Sequence, residues 1–377
     1  MLVLLTSFVL VASVSYPADA QQAEPLTVIV LPDTQNYVTS DAGTVYFQAQ
    51  IDWVLAERTS RNIVFVSHEG DVANSPTDVA QWQRADGVLA TFDSADMPYG
   101  IAPGNHDMEP GGAAPQYDAL FGVDRFVAKS WFGGGYEPTG TRASYQTVSA
   151  EGVDLLFVHV RHLLSTYGDN TAVHAWVKQV LEDHPSHLAF VTTHEFTHPD
   201  GSVIMPELQT VVEGVCNVAA VFSGHRFGAA HGTVNDRCGR PVLHVLTNYQ
   251  NIENGGNGFL RVLEIDPSTL ATALSVYSPA LDQNLVGPAE DFSYGLAAPH
   301  LLGDVSCDGA VGLSDAFMIL QFSVGLRTDS GGCPLVDQTA ELFVDVGDVN
   351  GDAAADIGDA FLILQCSVGL TNPFCPG

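Results

Sequence analysis

Residues 98–107 read PYGIAPGNHD, a short apolar run that ends in a glycine followed by three polar residues. Residues 62–71, NIVFVSHEGD, repeat the pattern: an apolar run and then a glycine beside charged side chains. Short apolar runs bounded by glycine or proline are typical of buried strands that end in a loop. Both stretches therefore predict a strand whose carboxyl end carries an acid, an amide or an imidazole.

Around these two stretches, residues 26–280 alternate apolar runs with segments of helical spacing. The other apolar runs are LTVIVLPD, DLLFVHV, LAFVTTHE, VAAVFSGH, PVLHVLTN and GFLRVLEI. Helical spacing occurs in GTVYFQAQIDWVLAERT, TDVAQWQRADGVLATF and TAVHAWVKQVLED. This alternation predicts an α/β fold with hairpin-like strands near its end.

Polar side chains stand at the ends of five predicted strands: Asp33, Asp71, Asn105, His194 and His225. One aspartate after a strand is commonly a turn residue or a helix cap. In open α/β folds, however, the carboxyl ends of the strands form the ligand crevice. Carboxylate, amide and imidazole groups are ligands for hard or borderline divalent cations, so the pattern predicts a metal site.

Five motifs in this order, LPDTQ, GDVAN, GNHD, TTHE and SGHRF, resemble those of the calcineurin-like metallophosphoesterases. The resemblance covers most of 26–280, and the pair of GD and GNHD is its most specific part. It implies a four-layer α/β sandwich that binds one or two divalent transition-metal ions (Mn, Fe or Zn). It also implies a phosphate-ester substrate, a monoester or a diester, that is hydrolysed by a metal-activated hydroxide.

The resemblance also implies a role for each motif residue. The first metal would be held by Asp33 and Gln35, and Asp71 would bridge the two metals. The second metal would be held by Asn105, His194 and His225. His106 would lie near the leaving-group oxygen as a general acid, oriented by Asp107.

The last motif departs from the family at its final position. In FSGHRFGAAHG (222–232), Phe227 stands where the family pattern GHxH has a histidine of the first site. Gln35 is also a weaker ligand than histidine, so the first metal is expected to bind less tightly than the second. This leaves an alternative open, an extracellular binding protein that keeps the fold with an impaired first site.

Several further polar residues lie near these motifs. His198 and His231 follow two of them and are candidates to assist the ligands. His159 and His162 flank Arg161 at a strand end, where packed histidines are the more ordinary expectation. Residues 248–250, Asn-Tyr-Gln, are predicted to form a turn near the cleft.

The end of the chain contains an internal repeat. Residues 315–326, DAFMILQFSVGL, and 359–370, DAFLILQCSVGL, are identical at ten of twelve positions. An acidic loop precedes each copy, with oxygen-bearing side chains at the spacing of an EF-hand calcium loop. The predicted calcium ligands are Asp304, Ser306, Asp308, Ala310 (through its carbonyl) and Asp315 in the first loop, and Asp348, Asn350, Asp352, Ala354 (through its carbonyl), Asp356 and Asp359 in the second.

This repeat, over roughly 302–372, resembles a type I dockerin. The resemblance implies a small all-α calcium-binding module of two loop–helix repeats that binds two Ca²⁺ ions. It also implies a cohesin-like protein partner or a polysaccharide-degrading assembly. The first loop departs at position 9, which is Gly312, and the second has Ala353 in place of the turn glycine.

The start of the chain, MLVLLTSFVLVASVSYPADAQQ, has the apolar run and the Ala-x-Ala site of a secretory signal peptide. We therefore expect a signal peptide at 1–20, a catalytic domain at 21–297 and the repeat module at 302–377, in a secreted, extracellular protein without a membrane anchor. The six cysteines of an exported chain favour disulfides, with Cys216–Cys238, Cys307–Cys333 and Cys366–Cys375 as the nearest-neighbour pairs. The formal charge of −31 argues against nucleic acid as a partner.

Overall fold

The computed structural model describes residues 24–136, 140–163, 170–301, 303–306, 310–326, 346–352, 354–368 and 370. The predicted signal peptide lies outside the described residues. So do the predicted calcium ligand Asp308, Ala353, and the cysteines Cys307, Cys333 and Cys375.

The described residues form fourteen strands and nine α-helices, numbered here in chain order. The strands are β1 (Leu26–Leu31), β2 (Ile63–His68), β3 (Tyr99–Ile101), β4 (Phe132–Tyr136), β5 (Gly140–Ala150), β6 (Val153–Val160), β7 (Leu188–Thr193), β8 (Val218–Ser223), β9 (Gly228–Asn235), β10 (Pro241–Asn248), β11 (Leu260–Ile265), β12 (Ala271–Ser278), β13 (Gln283–Leu285) and β14 (Phe292–Gly295). The helices are α1 (Asp41–Glu57), α2 (Val79–Ser94), α3 (Pro115–Phe121), α4 (Val123–Phe126), α5 (Thr171–Asp183), α6 (Pro206–Glu213), α7 (Glu253–Gly256), α8 (Leu313–Ser323) and α9 (Ile357–Ser367). A 3-10 helix spans Tyr37–Thr39.

The strands form two mixed sheets. The first has the order β13-β12-β11-β1-β2-β3, with β14 paired to β12, and the second has the order β4-β5-β6-β7-β8-β10-β9. The neighbours β1–β2 and β2–β3 are parallel, as are β6–β7, β7–β8 and β8–β10. Parallel neighbours place their carboxyl ends at the same edge of a sheet, so each sheet gathers its strand ends on one side.

Three apolar cores hold these layers together. Between the sheets, the ring of Phe65 in β2 stacks on Phe157 in β6 with centroids 3.7 Å apart, and Phe190 and Phe222 continue the column. A second core packs α1, α2 and α3 on the first sheet, and a third packs α5 and α6 on the other. The predicted α/β fold is confirmed, with its layers in the order helices, sheet, sheet, helices.

Two of the helices that cover the first sheet, α1 and α2, begin where the sequence supplies caps. The side chain of Ser40 accepts a hydrogen bond from the backbone N–H of Gly43 at the start of α1. Asp78 accepts from the N–H groups of Ala80 and Gln81 at the start of α2. Each cap satisfies N–H groups that have no partner within the helix, which typically stabilises a helix by about 1 kcal/mol.

The C-terminal helices α8 and α9 pack together and against the end of the second sheet. Their shared core includes Ile319 of α8, Ile363 of α9 and the disulfide Cys216–Cys238. That disulfide was the nearest-neighbour prediction for this cysteine pair and is confirmed; Cys366 is also disulfide-bonded, and its partner lies outside the described residues.

The segment before the repeat is tied to the sheets as well. The backbone N–H of His300 donates to the carbonyl of Cys216 at 2.8 Å, and the guanidinium of Arg240 donates to the carbonyl of Ala298. The stretch 298–301, which follows the expected catalytic domain, is therefore anchored at these two points. Among the described residues, none of the helices combines the length and the apolar character that a bilayer crossing requires.

Candidate metal centre

Seven strand ends carry the side chains of the candidate centre, and they come from both sheets. Asp33 follows β1, Asp71 follows β2 and Asn105 follows β3. His162, His194 and His225 follow β6, β7 and β8, and Asn248 is the last residue of β10. Because the sheets stack face to face, their collected carboxyl ends meet over the core between them.

One group of candidate ligands consists of Asp33, Asp71 and His194. A ligand atom from each lies within 4.8 Å of the others, and all three residues are buried. Nε2 of His194 lies 3.3 Å from Asp71 Oδ2, while its Nδ1 donates to the carbonyl of Glu69 at 2.9 Å. The second contact fixes the ring and aims Nε2 at the carboxylates.

A second group consists of His162, His194 and His225, again with ligand atoms within 4.8 Å of one another. Nδ1 of His225 lies 3.2 Å from Nε2 of His194, and the rings of His162 and His225 have centroids 5.0 Å apart. The two groups share His194. The predicted ligands Asp33, Asp71, His194 and His225 therefore lie together, and His162, which we expected to be a packed histidine, joins them.

The two remaining predicted ligands lie at the same centre. The amide oxygen of Asn105 is 3.0 Å from Nε2 of His194. Only 5% of the Gln35 surface is exposed, and its Oε1 has no hydrogen-bond partner among the described residues. A buried amide oxygen without a donor is costly, unless a cation or water binds it.

His106 and Asp107 do not form the expected pair. The carboxylate of Asp107 accepts hydrogen bonds from the backbone N–H groups of Val72, Ala73 and Gly104, so it ties the GDVAN loop to the GNHD loop. His106 instead places Nδ1 at 2.9 Å from the carbonyl of Asn74. The orienting contact of His106 thus comes from the end of the GDVAN motif, because the oxygens of Asp107 already serve three backbone donors.

Glu195 lies behind the imidazole group. Its Oε2 is 3.1 Å from Nε2 of His162, and its Oε1 accepts a hydrogen bond from Nε of Arg226 at 2.7 Å and forms an ion pair with Nη2 of the same residue at 2.6 Å. These partners, together with His225 at 3.7 Å, lower the pKa of Glu195 to about 2 although burial opposes that change. The ionised carboxylate orients two of the three imidazoles.

The other residues singled out near the motifs lie outside the two groups. Phe227 is 58% exposed. His198 pairs with Asp200 at 3.0 Å, and the ring of His231 stacks on Phe292 with centroids 4.1 Å apart. Neither histidine belongs to the ligand groups found among the described residues.

The motif glycines are required by close approach of the carboxylates. A Cβ on Gly104 would lie 2.1 Å from Asp71 Oδ1, and a Cβ on Gly224 would lie 2.1 Å from Asp33 Oδ1. Asp71 and His225 also adopt left-handed backbone conformations, with φ of 48° and 62°. Such conformations cost free energy and are concentrated at functional sites, where the surroundings hold them in place.

The electrostatics of the centre favour positive charge. Burial raises the pKa of Asp33 to about 8, and the nearby Asp71 adds to the effect. Burial opposes a charged His194, yet Asp71 and Asp33 outweigh it and raise its pKa to about 10. The raised pKa values of Asp33 and His194 mean that this buried acid and the imidazole retain protons in the absence of a metal, which reflects the field that a cation site needs.

The donor set fits a divalent-metal centre. It combines two carboxylates, amide oxygens and three imidazoles, with an unsatisfied amide oxygen among them. Carboxylate and imidazole ligands suit Mn, Fe and Zn, and a carboxylate near both groups is able to bridge two ions.

Comparisons with known proteins give one sequence relative. No family model matches the chain. The chain is 31% identical over 301 residues to the uncharacterized protein YvnB of Bacillus subtilis (strain 168), which covers 75% of this chain and 22% of that protein. The chain thus spans about a fifth of the length of the curated relative it matches.

Solved structures with a related arrangement have low sequence identity to the chain. A dimetal phosphatase from Danio rerio has 13% identity and a TM-score of 0.48, covering 73% of this chain and 100% of that one. GAP50, the anchor in the inner membrane complex of Plasmodium, has 12% identity and a TM-score of 0.47, covering 73% and 90%. The purple acid phosphatase PPD1 from yellow lupin (Lupinus luteus) seeds has 13% identity and a TM-score of 0.46, covering 72% and 54%.

Proposed function

We propose that this chain is a metal-dependent phosphoric ester hydrolase of the calcineurin-like type. The observation that carries the proposal is the sharing of His194 between an acidic ligand group and an imidazole ligand group. Two adjoining groups of this kind suit two neighbouring cations, and a pair of cations suits a phosphoryl group, which carries negative charge on several oxygens.

The residues of the proposed centre divide into three functions. Asp33, Gln35 and Asp71 would hold a first ion, and Asp71, Asn105, His194 and His225, joined by His162, would hold a second. When bound, such ions neutralise phosphoryl charge and lower the pKa of a coordinated water. Glu195 orients the imidazoles of His162 and His225.

His106 is the proposed general acid. Its Nδ1 faces a carbonyl, which only accepts hydrogen bonds, so that nitrogen carries the proton. The ring is therefore able to give a proton to a leaving alkoxide only from Nε2 in the imidazolium form.

Purified protein tests the proposal. We expect hydrolysis of aryl phosphomonoesters or phosphodiesters that stops in chelator and returns with Mn²⁺, Fe²⁺ or Zn²⁺. His225→Ala should lose activity and bound metal, while Phe227→Ala, two residues away and exposed, should keep the bound metal. If no phosphate ester were hydrolysed at saturating metal, the proposal would be rejected and the binding-protein alternative would remain. The lack of an imidazole at positions 35 and 227 favours that alternative.

We further propose that the C-terminal repeat binds two calcium ions in a dockerin-like module. In the first loop Asp315 accepts hydrogen bonds from the N–H groups of Ser306 and Gly312, at 2.9 and 2.8 Å. Asp359 accepts in the same register from Asn350 and Asp356, at 3.0 and 2.8 Å. Both loops thus close on the acid at position 12, which supports the register of the calcium loops.

Secretion and attachment to a cohesin-like partner complete the proposal. The helices of the repeat expose apolar side chains at matching positions: Leu313 and Phe317 in α8, Ile357 and Phe361 in α9. Exposed apolar residues that recur in two related helices favour a protein partner. Calcium-dependent binding to purified cohesins tests this part, and Phe317→Ser with Phe361→Ser should abolish it.

A further inference from the structure

The oxygens around Asp33 are arranged by a chain of side-chain amides. Nε2 of Gln250 and Nδ2 of Asn248 both donate to the same oxygen of Asp33, Oδ2, each at 2.9 Å. The other end of the Asn248 amide accepts from the backbone N–H of Gln250 at 3.0 Å. That contact fixes which end of the Asn248 amide faces the carboxylate, so Asn248 is a donor to Asp33 and not a metal ligand.

The chain of amides continues to Gln35. Oε1 of Gln250 accepts from Nε2 of Gln35 at 2.7 Å and from Nδ2 of Asn36 at 3.3 Å. The nitrogen of Gln35 is therefore committed to Gln250. Its oxygen is the buried Oε1 that has no hydrogen-bond partner among the described residues.

Two oxygens remain available as ligands at this end of the centre. Oδ2 of Asp33 accepts from two amide donors at 2.9 Å, and the N–H of His225 lies at a long 3.3 Å from both Oδ1 and Oδ2. Among the described residues, Oδ1 therefore has the weaker hydrogen bonding of the two oxygens. Oδ1 of Asp33 and Oε1 of Gln35 are thus presented together with the carboxylate of Asp71. His194 also adjoins these carboxylates, but its Nε2 lies 3.0 Å from Asn105 and 3.2 Å from His225, so it is assigned to the second site. Position 227 is a phenylalanine, and its side chain is exposed, so this position adds no imidazole to the first site.

We propose that the first site is an oxygen-only site for a hard divalent cation, Mg²⁺ or Mn²⁺, positioned by the amide chain Gln35–Gln250–Asp33. The second site, rich in imidazole, takes Zn²⁺ or Fe²⁺. The inference rests on the proposed two-cation centre. Oxygen ligands favour hard cations and imidazole favours Zn²⁺ and Fe²⁺, so the two sites differ in metal preference. Gln250 is a positioning residue, because its amide nitrogen holds Asp33 and its amide oxygen holds Gln35, so neither end is left to bind the metal.

The test measures metal binding without substrate. Metal-free full-length protein receives one equivalent of Zn²⁺ and is then titrated with Mn²⁺, followed by electron paramagnetic resonance and calorimetry. We expect one further Mn²⁺ per catalytic domain. Gln250→Met should lower the affinity for that Mn²⁺ ion roughly 10- to 100-fold, as the loss of a ligand-orienting partner does. The affinity for Zn²⁺ should be unchanged. Gln179→Met, an exposed amide on α5, is the matched control and should change neither affinity.

A second variant tests whether the chemistry of the ligand at position 35 sets the metal preference of the first site. Gln35→His replaces the amide oxygen with an imidazole, so it should shift the first site from Mn²⁺ towards Zn²⁺. Two equally tight Zn²⁺ ions in the unaltered protein, or unchanged Mn²⁺ affinity in Gln250→Met, would overturn the inference. The expected metal pattern without phosphoesterase activity would uphold it and reject the proposed function instead.

Discussion

The imidazole rings of His162 and His194 lie 5.1 Å apart, on the ends of the neighbouring parallel strands β6 and β7. His162 is fully buried and its Nε2 contacts Glu195. Burial lowers the pKa of His162, so the ring is neutral at pH 7 and able to act as a ligand. The second metal group is thus larger than the motifs alone indicate.

We therefore predict that His162→Ala lowers the transition-metal content of the purified protein. The loss should be smaller than in His225→Ala, because His225 directly contacts His194 whereas Nε2 of His162 contacts Glu195. His159→Ala is the matched control, because His159 is equally buried but contacts Ser67 and Gln146. Metal analysis of folded variants decides the matter, and equal metal contents in the two variants would remove His162 from the site.

His106→Asn should slow hydrolysis of esters with poor leaving groups much more than hydrolysis of activated aryl phosphates. Only a poor leaving group needs a proton, and general-acid groups typically contribute about 10²–10⁴-fold. Bound metal should be unchanged. The measurement is kcat against leaving-group pKa, where an unchanged slope would contradict the role given to His106.

Calcium removal should expose the C-terminal repeat to proteolysis in the full-length protein. Its loops bring several carboxylates together, and without a cation their repulsion opposes folding of a small core. We expect EGTA to allow cleavage within 303–370, and Ca²⁺ but not Mg²⁺ to restore protection. Paired variants Asp315→Asn and Asp359→Asn should be cleaved even with Ca²⁺. Protection that persists in EGTA would contradict calcium binding.

Removal of the disulfide should destabilise the protein and loosen the repeat. Cys216 and Cys238 close a loop with a sequence separation of 22, for which the expected loss of unfolding free energy is about 3 kcal/mol. Since the repeat packs on this disulfide, Cys216→Ser with Cys238→Ser should also increase cleavage of the repeat. Urea unfolding and limited proteolysis measure the two effects. Unchanged proteolysis would show that the repeat does not depend on this contact.

Acid should destabilise the fold through buried neutral histidines. Burial lowers the pKa of His159 to about 3, so below its ordinary pKa of 6.5 the unfolded chain binds a proton that the folded chain excludes. The stability contribution is complete above pH 6.5 and is lost as the pH falls towards 3. At pH 5 the loss from this one group is about 2 kcal/mol relative to pH 7.

His159→Gln should therefore reduce the difference in unfolding free energy between pH 7 and pH 5, even though the variant is less stable at pH 7. Urea titrations at the two pH values measure the difference. A pH dependence that His159→Gln leaves intact would contradict this account.

The sequence by itself determined the alternation of strands and helices, the strand ends that carry Asp33, Asp71, Asn105, His194 and His225, and the repeat around Asp315 and Asp359. These features are local: apolar periodicity selects strand or helix, glycine marks where a strand ends, and an identical repeat gives its own register. The disulfide between Cys216 and Cys238 could also be predicted from the sequence, because these two cysteines are close together in the chain and far from the other four.

The tertiary structure alone decided which polar residues meet. His162 and Gln250 lie far along the chain from Asp33 and in stretches that read as a packed strand end and a turn, so only the stacking of two sheets brings them to the centre. It likewise decided that Asp107 serves three backbone N–H groups while Asn74 contacts His106. A strand pattern specifies that a residue lies at an edge, but the partner across that edge depends on sheet order and on which oxygens are already satisfied, and neither is a property of a local stretch of sequence.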